Sequence, residues 1–118
     1  MIYAFICKDG GDKTQIRRDV LLEHLRYIES VIDKIVVAGT CPPLSSSDPR
    51  QFEGSMLMYR ADSPAEARSL FECDPYFKNK IWDSYEMMNF SPVAGDYIGG
   101  RTWDIVDGKV MRKDPRAA

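Results

Sequence analysis

The chain holds a single histidine, His24, and its position marks it as the first candidate for chemistry. The segment Thr14–Ile28 has the apolar spacing of an amphipathic helix. Val20, His24, Ile28 and Val31 recur at intervals of four, four and three, so the imidazole shares an edge of the apolar stripe. A ring placed there needs a hydrogen-bond partner, because an unpaired buried polar group costs stability. Imidazole is also the side chain best suited to proton transfer near neutral pH. Asp74 is the acid of most interest: it stands among apolar and aromatic residues in Cys73-Asp74-Pro75-Tyr76-Phe77. A carboxylate bonded to one imidazole nitrogen fixes the tautomer and raises the basicity of the other nitrogen, which is a minimal acid–base dyad. Each residue also has a plain alternative. Asp-Pro is a common helix start with Asp as the cap, and His24 can be a core histidine satisfied by packing.

Arg17 and Arg18 lie on the same helix and are placed to hold an anionic substrate; the alternative is a solvated helix face. Ser55 opens a strand and can bond a ligand, or else satisfy local backbone. Tyr76 can donate to an oxyanion, or pack with its hydroxyl at the rim. Tyr3, Phe5 and Phe90, read as residues of outer strands, are candidates to line an apolar pocket in a dimer cleft, and Met56, Met58, Met87 and Met88 read as strand core fillers. The cysteines Cys7, Cys41 and Cys73 are odd in number, widely spaced and form no C-x-x-C, so each reads as a small buried hydrophobe and not as a nucleophile. With one histidine, a structural zinc site is not expected. No P-loop, G-x-G-x-x-G, G-x-S-x-G or EF-hand spacing occurs, and Gly95–Gly100 is too loose for a phosphate loop, so no cofactor is expected.

The elements that must position these groups follow from pattern. At 118 residues, 44% hydrophobic and 29% charged, the chain suits one domain with one core. A net charge of −2 gives no electrostatic case for nucleic acid, and no apolar run approaches a membrane span. Met1–Cys7 is apolar but short and lacks a basic lead, so no signal peptide is expected and the cytoplasm is the expected compartment. Ile2–Lys8 reads as a strand ending at Asp9-Gly10-Gly11, residues 14–34 as a helix, and Ile35–Ala38 as a second strand closed by Gly39. A long Pro/Ser-rich loop spans Thr40–Glu53, and Gly54–Arg60 is a third strand. Ser63-Pro64-Ala65-Glu66 is a capping box that opens a helix running to about Cys73. Asp74-Pro75 restarts a short turn, and Ile81–Phe90 is the fourth strand. The order βαββαβ is ferredoxin-like and α+β. Helices cover one face of such a sheet, and they lie side by side, which allows a His24–Asp74 contact without fixing it. The other face needs a cover, so a homodimer is expected.

The fold needs only residues 1–92, and 93–118 form a C-terminal extension. Within it, Asp107-Gly108 lies between two apolar-rich runs and predicts a hairpin over 102–113, with Asp114–Ala118 as a frayed end. Burying Trp103 requires that this hairpin dock, either on a partner subunit or as a lid over the cleft.

An ordered set of residues resembles the YciI-like (YCII-related) family. It comprises Arg18-x5-His24-Leu25, Ala38-Gly39 before the Pro-rich loop, Phe52-x-Gly54-Ser55, Ser63-x-x-Glu66-Ala67 and Asp74-Pro75-Tyr76, within residues 1–92. The resemblance implies a ferredoxin-like dimeric α+β barrel whose cleft holds a His–Asp pair, mapping by position onto His24 and Asp74. It also implies the related activity of a dehydrochlorinase on a chlorinated hydroxyquinol, with muconolactone isomerases as more distant barrel relatives. Two departures stand out: the added tail, and Gly39-Thr40-Cys41-Pro42-Pro43 where Gly-Pro is usual. The expected function is a cofactor-free lyase, isomerase or dehydrohalogenase acting on a small cyclic or carboxylated molecule. The competing reading is a non-catalytic small-ligand-binding or interaction module.

Overall fold

The computed structural model describes residues 1–48 and 50–113. The frayed end expected at 114–118 lies outside the described residues. Four strands, β1 (Ile2–Asp9), β2 (Ile35–Cys41), β3 (Gly54–Arg60) and β4 (Trp82–Phe90), form one antiparallel sheet in the order β2-β3-β1-β4. The helices α1 (Thr14–Ser30), α2 (Pro64–Glu72) and α3 (Pro75–Lys78) complete the α+β fold. Register sets the two faces of the sheet. Phe5 pairs with Leu57 and Met87, and Cys7 with Ser55 and Tyr85, on the helix-covered face. There Tyr3, Phe5, Leu57 and Tyr59 join Val20, Phe71 and Tyr76 from the helices in the main core. Phe5 stacks on Phe71 at 4.2 Å between centroids, and Phe71 stacks on Trp82 at 5.3 Å, so aromatic packing ties α2 to β1 and β4.

Local chemistry explains the boundaries. The Ser63 side chain accepts from the Glu66 N–H and Pro64 takes the first helical position, as the sequence implies. Glu66 reaches back to the Asp62 N–H instead of the cap's own N–H, a displaced form of the capping box. The first helix stops at Ser30, short of the expected Lys34. The Val31 N–H meets the Tyr27 and Ile28 carbonyls at the helix end, and residues Ile32–Lys34 tighten into a 3-10 turn in which the Lys34 N–H donates to the Val31 carbonyl. The second strand passes through Gly39 and ends at Cys41, because the ladder to β3 continues to Cys41↔Gly54 and outweighs the poor strand propensity of glycine.

The opposite sheet face carries Ile2, Ala4, Ile6, Met56, Met58, Met88 and Phe90 by register. Ile6, Met56, Met88 and Phe90 are exposed on it. Met56 and Met88 are therefore not core fillers within this chain, and Phe90 lies on the same uncovered face. Tyr3 and Phe5 are core residues and not pocket walls. The tail forms β5 (Ala94–Gly95), β6 (Gly100–Arg101) and the expected hairpin β7 (Trp103–Val106) with β8 (Lys109–Arg112), turning at Asp107-Gly108. Tyr97 donates to the Val36 carbonyl and anchors the tail to β2. Trp103 is half-buried, while Ile105, Val110 and Met111 are exposed. A radius of gyration of 17.0 Å exceeds the roughly 13–14 Å of a compact chain of this size, in keeping with a tail that stands off the body. No helix among the described residues is long and apolar enough to cross a membrane.

The cysteines differ from the expectation of uniform burial: Cys7 is buried, Cys41 half-buried and Cys73 exposed. Burial pushes the Cys7 thiol up to about 12, with Asp74 adding to the effect. At pH 8 a thiol reagent should modify Cys73 first in the native protein and Cys7 only after unfolding. Rapid modification of Cys7 in native protein, read by mass spectrometry, would contradict this packing.

Candidate active site

Asp9, at the end of β1, and Arg17, in the first turns of α1, form a buried ion pair. Arg17 Nε donates to Asp9 Oδ2 and Nη2 to Oδ1, both at 2.8 Å, with the two side chains 4% and 2% exposed. This parallel geometry satisfies both carboxylate oxygens. Arg17 Nη2 also donates to the Gly54 carbonyl at 3.2 Å and to Ser55 Oγ at 3.1 Å. The guanidinium lies 4.8 Å from the Phe52 ring centroid and 5.5 Å from that of Tyr76. Gly54 admits this arrangement because a Cβ there would collide with the Cys7 carbonyl oxygen. Arg17 is thus a buried organising residue and not part of a solvated face.

Tyr76 carries the order onward. Its hydroxyl donates to the Arg17 carbonyl at 3.0 Å. Its ring stacks on the His24 imidazole at 3.7 Å between centroids, with the planes 5° apart. The Tyr76 proton is therefore committed to backbone and the residue is buried, not set at a rim. Burial also raises the Tyr76 phenol above its usual range.

His24 Nδ1 lies 2.6 Å from Asp74 Oδ1. The same oxygen accepts from the Tyr76 N–H at 2.9 Å, which caps α3. Capping and histidine binding, alternatives at the level of sequence, coexist on one carboxylate. Asp74 is fully buried, and the His24 side chain keeps 15% exposure. With a proton on Nδ1 directed at Asp74, Nε2 is left as an acceptor, and no protein partner meets it among the described residues.

A cavity of about 450 Å³ opens against this ring. Leu21, Leu25, Ile28, Leu57 and Trp82 give it apolar walls, and His24, Arg17, Arg18, Ser55 and Tyr76 also line it. Of the polar residues singled out in the sequence, His24, Arg17, Arg18, Ser55 and Tyr76 meet at this cavity, and Asp74 stands behind His24; Tyr3, Phe5 and Phe90 do not line it. Arg18 is exposed at it. Sequence reasoning missed Asp9, which reads only as a turn residue, and Trp82, which carries no motif of its own; Phe52 stood in the Phe52-x-Gly54-Ser55 pattern without a role at the site. No residue of 93–113 lines the cavity, so the tail does not lid this chain's own cleft. Among the described residues no cluster of histidine, cysteine and carboxylate side chains is arranged to hold a metal ion.

The sequence pattern of the YCII-related domain matches residues 1–91. Among solved structures, the chain is similar to the 5-chloro-2-hydroxyhydroquinone dehydrochlorinase of Burkholderia phenoliruptrix AC1100 in complex with 2,5-dihydroxybenzoquinone. The TM-score is 0.70 and the identity 28%, over 82% of this chain and 98% of that one. The curated protein sequences give no match.

Breaking the buried ion pair leaves a charge without its partner. Asp9→Asn should lower stability by about 3–5 kcal/mol, whereas Arg50→Ala, at the exposed Asp48–Arg50 pair, should leave the urea midpoint unchanged. Equal small effects for the two variants would refute the organising role of Arg17.

Proposed function

The chain belongs to the YCII-related family, and from that premise we propose that it is a dehydrohalogenase-type lyase acting on a small hydroxylated ring. The observation that carries this reading is the His24–Asp74 contact at the wall of an open, largely apolar cavity. A histidine kept only for packing would be sealed; His24 is not. Likeness to a dehydrochlorinase at 28% identity supports the same reaction class.

The chemistry suits one base held in one orientation. In a halogenated hydroquinone, His24 Nε2 takes a hydroxyl proton and returns it to the carbon that bears the halogen. A second hydroxyl then gives up its proton while halide leaves with the bonding electron pair. The products are a quinone and HX, so atoms and electrons balance without an external oxidant or cofactor. Asp74 holds the ring in the tautomer this needs and stabilises the imidazolium that forms. The flat face of Tyr76 fixes the ring plane, Arg18 and Ser55 position the substrate, and Arg17 supports the wall behind them.

We also propose that the protein is a homodimer. The exposed Ile6, Met56, Met88 and Phe90 of the uncovered sheet face would meet a second copy, and the standing hairpin would pack on that partner. Sedimentation should give a dimer at micromolar concentration and a weaker one after truncation following Gly100. A monomer, or a truncated chain that associates as the full chain does, would count against these two proposals respectively.

For the reaction, chloride release from 5-chloro-2-hydroxyhydroquinone is the direct assay. His24→Ala should lower the rate by roughly 10²–10⁴ with binding largely kept. Asp74→Asn should lower it as well and alter the ¹⁵N shifts that report the His24 tautomer. Binding of halogenated hydroquinones without halide release by the wild type would leave a ligand-binding module instead.

A further inference from the structure

The charge around the cavity has one sign. Arg17, Arg18, Arg50 and His24 line it, and no aspartate or glutamate among the described residues does. The three guanidiniums differ in how much of their charge is free. Arg17 is buried and neutralised by Asp9 through two bonds of 2.8 Å. Arg50 Nε lies 3.1 Å from Asp48 Oδ1, but its side chain is 88% exposed, so that pair is weak and easily exchanged. Arg18 forms no ion pair among the described residues. Burial sorts the lining by depth. Leu57, Tyr76 and Trp82 are buried and make the floor, whereas Thr14, Arg18, Thr40 and Arg50 are exposed and make the mouth. Arg18 comes from α1 and Arg50 from the loop between β2 and β3, so two cations border the mouth from separate elements.

We infer that Arg18 and Arg50 form an anion anchor at the mouth, and that the substrate class is a hydroxylated aromatic acid whose carboxylate they bind. This rests on the reading of the cavity as the substrate site and extends it from a neutral ring to a charged one. His24 stands six residues beyond Arg18 on the same helix, about 9 Å along its axis at 1.5 Å per residue. That separation matches one substituted ring, with a hydroxyl at His24 Nε2 and a carboxylate at the mouth. Leu21 and Leu25 lie between the two groups and meet the ring itself. A guanidinium bonds both oxygens of a carboxylate in parallel, which fixes orientation as well as position. The Thr14 and Thr40 hydroxyls add donors at the same rim. A carboxylate far from the reacting carbon supplies binding energy that holds the ring against the base. The unpaired Arg18 charge also draws anions toward the opening, an attraction that salt screens.

The test is binding, which needs no turnover. Calorimetry compares 2,5-dihydroxybenzoate with its methyl ester, which keeps the ring and removes the charge. The wild type should bind the acid roughly tenfold more tightly than the ester, and added salt should narrow that gap. Arg18→Gln should weaken the acid by roughly three- to tenfold and leave the ester unchanged. Arg18 is exposed, so this variant keeps the fold. Arg50→Gln should weaken the acid in the same sense, and Asp48→Asn, which releases Arg50, should tighten it. Arg26→Gln removes an exposed charge from the same helix away from the cavity and should change neither affinity. Equal affinities for acid and ester in the wild type would overturn the anchor and leave the cavity reading standing. So would an acid affinity that Arg18→Gln leaves alone, or a loss that Arg26→Gln reproduces in full. Arg18-dependent binding that neither Arg50→Gln nor Asp48→Asn alters would strike Arg50 from the anchor. Binding of neither ligand would overturn the anchor together with the site reading.

Discussion

The Arg17 guanidinium is the constraint on which the rest of the site depends. A charge buried to this extent is tolerable only with an opposite charge and partners for its donors. The partners that meet them come from three places: Asp9 at the end of β1, and Gly54 and Ser55 at the start of β3, while Phe52 covers the ring face from the loop. Satisfying one cation therefore fixes the entry of α1 against two central strands. It also aims Ser55, because the bond from Nη2 fills one of its acceptor positions.

From Arg17 the order reaches His24 through Tyr76. The tyrosine hydroxyl holds the Arg17 carbonyl, its ring lies flat on the imidazole, and its N–H binds the carboxylate that also holds Nδ1. Asp74 thus links a helix start and an imidazole through one oxygen. A short helix such as α3 has little stability of its own, so the cap, the stack and the His24–Asp74 hydrogen bond support one another. His24 is held in plane by Tyr76 and in rotation by Asp74, which leaves a single nitrogen to meet a ligand.

A cavity bounded on one side by this polar chain and on the others by Leu21, Leu25, Leu57 and Trp82 joins directed polar contacts to apolar walls. That combination suits a flat, oxygenated ring: apolar faces for the walls, oxygens for the few polar groups. The same sheet that carries Ser55 and Tyr59 on one face leaves Ile6, Met56, Met88 and Phe90 uncovered on the other. The tail adds apolar surface in Ile105, Val110 and Met111.

Local pattern in the sequence determined much of this protein. Short apolar runs bounded by turn residues set the strands, Ser63-Pro64 and Asp74-Pro75 set two helix starts, and Asp107-Gly108 set the hairpin turn, because each depends on residues within a few positions of one another. The ordered residues shared with the YCII-related family identified the fold, and His24 and Asp74 were recognisable as the pair to watch. Gly39 within β2 was misread because its fate depends on pairing with Met56, far off in sequence. Whether Arg17 faced solvent or a buried carboxylate was decided only in three dimensions. Asp9 lies at a turn whose local chemistry says nothing of the helix it will anchor. The donors to Ser55 Oγ, Arg17 Nη2 and Trp82 Nε1, likewise converge on it from separate elements. Local sequence encodes backbone conformation; the partners of buried polar groups are chosen by packing, and in this chain those partners make the site.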